Sequence, residues 1–405
     1  MVTAVFIGNM VSPIPGGYIM DAIGRKWTLF LFCLASISSW VIVVFTHSAV
    51  GLYVARVLAG MWTGIVYTVV PVYMGEVMEP NMRGAASSVI ASFLFVGFMY
   101  ETVLGPLISY QTLALLCCLP TVLLLFALAC IPESPYYFLM KGKRDDAVDA
   151  LVWLRGRPDV EEDVRRMEDA VRQQLENPGS FLDILATNAS RKAFAIVALL
   201  GMVQRSSGLT LLFTYATVII PDSFISASMS SIILNIVWLI VCVVGVRCLD
   251  IYGRKLMFLV SCAGAFLSVL LVCIWFYLRD ITKADVSSSS WVPFFGLLLH
   301  GIVYPLGLVS VPTTVQGELL AVNVKGKASA ITSIIMAMMS GIVVLIYLPV
   351  NDAIGLYFNF AVCLISTFSG AVFALFFMIE TKGKTLEEIQ VILGGKISDK
   401  ANGTL

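Results

Sequence analysis

Charge is scarce in this sequence. Only 13% of its 405 residues are Asp, Glu, Lys or Arg, and 26 acids balance 26 bases to a net charge of zero. A soluble domain of this length needs far more polar surface to cover its core, which excludes that class. The even balance leaves no basic excess of the kind a nucleic-acid partner requires. Histidine is scarcer still, with two in the chain, and the nine cysteines show no CxxC spacing. Neither a metal site nor a redox pair is indicated, and the cysteines read as buried thiols beside apolar stretches. No nucleophile–base pair or phosphate-binding loop points to an enzyme, and no cofactor is implied. What remains is apolar: 59% of residues are hydrophobic, and the mean hydropathy is +0.92. That excess has to face lipid, so the class is an all-α integral membrane protein.

A spanning helix needs roughly 20 mostly apolar residues. Such windows run over 2–20, 27–46, 49–75, 84–109 and 111–131, then over 191–219, 226–247, 256–278, 291–317, 328–350 and 354–379. Eleven spans are therefore expected. Basic residues cluster on alternate loops, at Arg25/Lys26, Arg83, 141–192, Arg247/Arg254/Lys255, Lys325/Lys327 and 382–400. The positive-inside rule makes those loops, and the C-terminus, cytoplasmic. The organisation reads as a five-span bundle over 1–131, a cytoplasmic helical loop over 132–190, a six-span bundle over 191–379 and a cytoplasmic tail over 380–405. Within the loop, Val148, Leu151, Leu154, Val164, Met167 and Val171 have helical spacing, which predicts a small helical cap that ends before Asn177-Pro178-Gly179.

The two halves repeat. Gly17-x3-Asp21-x2-Gly24-Arg25-Lys26 recurs as Gly245-x4-Asp250-x2-Gly253-Arg254-Lys255, and Glu76-x6-Arg83-Gly84 recurs as Glu318-x6-Lys325-Gly326. Pro132-Glu133-Ser134 is echoed by Ile379-Glu380-Thr381. Three paired motifs in one order imply duplicated bundles related by pseudo-symmetry. Moved back by the repeat offset, the span at 191–219 would find its partner before residue 1. The expectation is that the first span of a twelve-span plan is missing from this sequence.

These residues resemble the sugar porters of the major facilitator superfamily. The resemblance rests on GGYIMDAIGRK (Gly16–Lys26), PVYMGEVMEPNMRG (Pro71–Gly84), PESP (Pro132–Pro135) and ETKGKTLEEI (Glu380–Ile389). It covers essentially the whole chain, and within the family the texture is most similar to the insect facilitated trehalose transporter-like branch. The resemblance implies a major facilitator fold and a small-molecule sugar as substrate, with lipid around the bundle and the plasma membrane as location. Oligomeric state stays open. At the cytoplasmic helix ends, Asp21, Arg25, Glu76, Arg83, Glu133, Asp250, Arg254, Glu318, Lys325 and Glu380 are expected to form ion-pair networks that act as a gate. The plainer alternative is that they are topology-setting charges. Ala22 stands where the family usually has a basic residue.

The family binds sugar near the bilayer midplane through amides and aromatic rings. Its QQLSG-x-N pattern becomes Gln204-Arg205-Ser206-Ser207-Gly208-Leu209-Thr210, and its tenth-span tryptophan becomes Thr313. Gln204, Arg205, Ser207, Thr210 and Thr313 are thus the candidate substrate contacts. Arg205 is open to three readings: recognition of an acidic sugar, pairing with the intramembrane acid Glu101, or a drifted site with weakened sugar binding. Arg56 matches an arginine that pairs, in proton-coupled relatives, with an acid of the first span. No coupling acid is assigned, and facilitated diffusion is expected. Gly60-x3-Gly64 reads as close helix packing. Trp62, Tyr67, Tyr215, Trp238, Phe294 and Tyr304 are candidates to line a path or to pack. The leading function is a facilitative trehalose or hexose carrier. The alternatives are a non-transporting paralogue or sugar sensor, and an organic-ion carrier of the same superfamily.

Overall fold

The computed structural model describes the backbone of residues 3–176, 179–219, 226–320, 324–384 and 386–394. Among the described residues every regular element is helical. Nine segments of the described residues are long and apolar enough to cross a bilayer: Arg25–Phe45, Ala49–Val77, Tyr110–Cys130, Asn188–Leu212, Ser228–Leu249, Arg254–Asp280, Ser287–Leu319, Lys325–Ala353 and Leu356–Phe376. The other two expected windows are helical as well, but they fall outside that measure for particular reasons. Residues 4–23 form two short helices, α1 (Ala4–Val11) and α2 (Pro13–Ile23), because Ser12-Pro13 interrupts the ladder where proline has no amide to give. Residues 80–104 form one helix, α5, of which only Ser92–Leu104 has described side chains.

Two compact units make up the chain. The first comprises residues 1–179 with 329–342, and the second comprises 180–328 with 343–405. In the first, α1 and α2 are followed by α3 (Arg25–Phe45), α4 (Ala49–Val77), α5 (Pro80–Leu104) and α6 (Tyr110–Cys130). Hydroxyl caps set two of these helix starts. Ser48 accepts the Gly51 amide before α4, and Ser109 accepts the Thr112 amide before α6. Helix α4 is central and packs on α1, α2 and α3, while α3 also packs on α6. Met20, Leu29, Phe32, Cys33, Ile65, Val69 and Leu128 form the core between them. Gly60 and Gly64 meet the backbone of α1 and the Ser12 side chain, which is the close packing their spacing predicts. After Pro132 come α7 (Pro135–Met140), α8 (Arg144–Arg155) and α9 (Glu161–Glu176). Leu151, Val160 and Val164 close a small core with Val148, Val152 and Met167 against it.

The second unit begins with α10 (Asn188–Ser206) and α11 (Leu209–Ile219), one span broken at Ser207-Gly208. It continues through α12 (Ala227–Tyr252), α13 (Arg254–Asp280), α14 (Val292–Tyr304) and α15 (Ser310–Leu319). A π-helical stretch, Pro305–Val309, joins α14 to α15 within a single span. Helix α16 (Lys325–Ala353) contributes to both units, and α17 (Leu356–Phe376) and α18 (Leu386–Ile392) complete the described chain. Helix α13 is the centre here, packed on α14 and α17. Its Phe276 stacks on Phe360 at 5.5 Å. Phe45, Phe126, Ile365 and Phe376 are among many large apolar side chains left exposed, as a lipid-facing surface requires. The chain is a multi-pass integral membrane protein. All nine cysteines are free thiols; four are buried, whereas Cys130 is exposed, contrary to the uniform burial expected for them.

Candidate functional site

The first unit gathers its charges where α2 turns into α3. At Gly24, φ is 103° and ψ is 165°, a conformation that favours glycine, and the turn aims the amide start of α3 at the segment after α6. Arg25 extends Nη2 and Nε to one Glu76 oxygen on α4, at 2.9 and 3.2 Å. Its Nη1 lies 3.6 Å from Asp21 and donates to the Met20 carbonyl at 3.3 Å. The second Glu76 oxygen accepts the Ser134 hydroxyl. Glu133 places its carboxylate on the α3 amides of Arg25 and Lys26, both at 3.0 Å. The first amides of a helix have no partner within it and carry the positive end of its dipole, so an anion there is favoured twice.

The second unit repeats this arrangement almost bond for bond. Gly253 turns at φ 87° and ψ 166°. Arg254 Nη2 and Nε reach one Glu318 oxygen at 2.9 and 3.2 Å, and Nη1 donates to the Leu249 carbonyl at 3.4 Å. Thr381 donates to the other Glu318 oxygen at 2.5 Å. Glu380 accepts the α13 amides of Arg254 and Lys255, both at 3.0 Å. A Cβ at Gly253 would stand 2.6 Å from a Glu380 oxygen, and one at Gly24 would stand 2.2 Å from Glu133. Each glycine is therefore needed for space as well as for φ.

The structure thus joins Asp21, Arg25, Glu76 and Glu133 in one network and Arg254, Glu318 and Glu380 in the other. The bonds named here each join residues of one unit. Lys325 donates to the Gly317 carbonyl at 2.8 Å. The side chains of Arg83 and Asp250 lie outside the described residues. Ser134 and Thr381 complete the networks although sequence reasoning gave them no role. Their shared place after Glu133 and Glu380 in the repeat was the available signal.

Glu380 lies beyond the end of α17. Burial alone would raise its pKa, but hydrogen bonds from the Lys382, Arg254, Lys255 and Thr381 amides outweigh burial and hold it below the ordinary 4.5. A carboxylate depressed in the folded state stabilises above its unfolded pKa, and the benefit fades as pH falls through the folded pKa. Thermal unfolding of purified wild type and Glu380→Gln should therefore differ at pH 7. The gap should close as pH drops below about 4.5.

The candidate substrate residues sit at the broken span. Gln204 is buried; its Nε2 donates to the Val309 carbonyl at 2.9 Å, which fixes Oε1 as the free acceptor of the amide, and that buried atom has no protein partner. Ser207 Oγ donates to the Gln204 carbonyl at 3.1 Å and Thr210 Oγ1 to the Arg205 carbonyl at 3.1 Å. These two hydroxyls are thus occupied by the break itself. Thr313 is exposed on α15 with its hydroxyl on the Ser310 carbonyl at 2.9 Å. Arg205 is half-buried at the end of α10 in the second unit. Arg56 on α4 and Glu101 on α5 are exposed in the first. Sequence reasoning passed over His300 and gave Tyr304 no specific task. Both are fully buried on α14, with His300 Nε2 3.1 Å from the Ser207 carbonyl and the Tyr304 hydroxyl donating to the Gln204 carbonyl at 2.5 Å. Their spacing of four residues, polar side chains on one face of an apolar span, was the signal.

Known proteins share this architecture. The model of the family described as "Sugar (and other) transporter" matches residues 1–393. The chain is similar to the facilitated trehalose transporter Tret1 of Drosophila willistoni, 27% identical over 402 residues that cover 96% of this chain and 45% of that protein. The same protein of Aedes aegypti is 27% identical, with 96% and 49% covered. Sugar transporter ERD6-like 6 of Arabidopsis thaliana is 28% identical, with 95% and 80% covered. The chain spans about half the length of the Drosophila willistoni and Aedes aegypti relatives. Among solved structures, the proton:xylose symporter XylE bound to 6-bromo-6-deoxy-D-glucose superposes with a TM-score of 0.78 at 18% identity, over 96% of this chain and 88% of that one. Partially occluded, inward-open XylE from E. coli gives 0.75 at 20% identity, over 95% and 88%. The fold is that of the major facilitator superfamily.

Proposed function

This chain belongs to the sugar (and other) transporter family, and on that premise we propose that it is a facilitative carrier of a neutral sugar, trehalose or a hexose, working by alternating access. The observation that carries this reading is the Gln204 amide. Its nitrogen is committed to Val309 and its oxygen is left as a buried acceptor at a break in a span. Such an acceptor suits a ligand that donates without charge, and a sugar hydroxyl does so. Broken spans are where carriers commonly hold their cargo. The names of the relatives support facilitated movement of trehalose. We assign the carrier to the plasma membrane on its resemblance to sugar porters, and its C-terminus and both charge networks to the cytoplasm on the distribution of Lys and Arg. Because each network braces helix ends within one unit, its role in gating is to let each bundle move as a rigid body. The boundaries that follow are bundles over 1–131 and 191–379, a helical cap over 132–190 and a tail over 380–405.

A second reading, a non-transporting relative, draws on Arg205 and Thr313, which replace a glutamine and a tryptophan of the family's site. Uptake of labelled trehalose and glucose by cells with measured surface density of the protein decides between them. Saturable uptake is the expected result, and Gln204→Leu should lower its efficiency about tenfold or more, the effect of losing one buried hydrogen bond to substrate. No uptake at normal surface density would favour the second reading. Arg205→Gln should raise neutral-sugar uptake; a fall would instead assign Arg205 to substrate recognition or to pairing with an acid such as Glu101.

A further inference from the structure

The break between α10 and α11 exposes carbonyls, and one neighbouring span covers them. In an unbroken helix the carbonyls of Gln204 and Ser207 would take the amides of residues 208 and 211. Here Tyr304 OH donates to the Gln204 carbonyl at 2.5 Å, and His300 Nε2 lies 3.1 Å from the Ser207 carbonyl. Facing a carbonyl, Nε2 must carry the ring proton. The two rings sit one turn apart on α14 and stack, with centroids 4.9 Å apart and planes at 25°. Further along the same span, the Val309 carbonyl in the π-helical stretch takes the Gln204 side-chain amide at 2.9 Å. One span therefore grips the end of α10 at three points, two of them on Gln204. Leucine and phenylalanine would fill the same space but leave the Ser207 carbonyl without its donor and the Gln204 carbonyl with the Ser207 hydroxyl alone, in an apolar environment where a lost backbone hydrogen bond is costly.

We propose that His300 and Tyr304 are positioning residues for substrate: together they clamp the carbonyl end of α10 and so hold the Gln204 amide where it receives a sugar hydroxyl. The inference rests on the reading of Gln204 given above. Neither residue touches the sugar in this scheme. They set affinity through Gln204, and the intrinsic capacity of the carrier to turn over is a separate matter.

Hydrogen exchange of purified protein, followed at amides 207–212, reads the clamp without any sugar. Uptake kinetics per surface molecule read its consequence. His300→Phe keeps the ring and the stacking but loses the donor, and His300→Gln returns a donor near the Nε2 position. His300→Phe should speed exchange at the break and raise KM about tenfold, with the maximum rate changed far less. His300→Gln should restore both. Tyr304→Phe, which removes one hydroxyl, should shift KM the same way and serves where His300→Phe fails to reach the membrane. Unchanged exchange in both variants overturns the clamp. Faster exchange with an unmoved KM, or a loss confined to surface density, overturns the positioning role. A wild type that moves no sugar refutes the proposed function instead, and the clamp is then judged on exchange alone.

Discussion

Glu76→Ala should remove most folded protein from the cell surface, whereas Glu318→Ala should be tolerated better. The two carboxylates make the same bonds, with Arg–Glu distances of 2.9 Å in both networks. They differ in burial. The Arg25 and Glu76 side chains are 4% and 14% exposed, against 13% and 27% for Arg254 and Glu318. The exposed Asp21, 3.6 Å from Arg25, is a weak substitute for Glu76. Removing one partner of a buried pair costs about 3–5 kcal/mol because the other charge loses its compensation. That is a large part of a typical folding stability of about 5–15 kcal/mol. Water reaches Arg254 more readily, so Glu318→Ala should cost roughly half as much. Surface density in cells and thermal inactivation of purified protein at a fixed heating rate check the order. Equal losses would show that burial is not what separates the two sites.

Gly60→Ala should be the most damaging single methyl in the first unit. A Cβ at Gly60 would stand 1.9 Å from the Val5 carbonyl oxygen, 2.7 Å from its carbon and 3.1 Å from the Asn9 amide nitrogen. From the other side, a Cβ at Gly8 would meet the Val57 oxygen at 2.0 Å and the Met61 nitrogen at 2.7 Å. These neighbours are backbone atoms, so no rotamer change makes room and α1 must move off α4. Overpacking of this kind costs about 1–3 kcal/mol, and rigid neighbours push it to the upper end. Gly75→Ala supplies the control on the same helix. Nothing lies within 4 Å of its Cβ, so the change should be neutral or stabilise by up to about 1 kcal/mol. Thermal inactivation of the two variants should therefore move in different directions.

The all-helical membrane fold was legible because its causes are local and periodic. Apolar windows, a positive bias on alternate loops and paired acids at helix ends all appear in the order of residues. The break at Ser12-Pro13 was not, because a hydropathy window counts proline as merely apolar and is blind to the amide it lacks. Arg25, Glu76 and Glu133 could be named as partners from their repeat, yet sequence cannot tell whether an arginine at a helix end pairs with its own bundle or with the other. Ser207 and Thr210 were read as substrate contacts by position in a motif. Their hydroxyls serve the backbone of a broken helix, a need that exists only once the break is seen. His300 and Tyr304 escaped notice for the same reason. A carbonyl in want of a donor has no signature in sequence.

The long reach of the carboxylate staples bears on how the protein is made. Glu133 binds the Arg25 amide across 108 residues, and Glu380 binds the Arg254 amide across 126. In each half the acid follows the last span it ties together, so it leaves the ribosome after all of them. Until then Arg25 and the start of α3 lack their anion, and a half-made bundle remains loose at that end. Translation of Pro132–Pro135 then locks the first half before the second has begun to emerge. The order of synthesis becomes an order of closure, with each charge network completed by the segment that follows the last span it ties together.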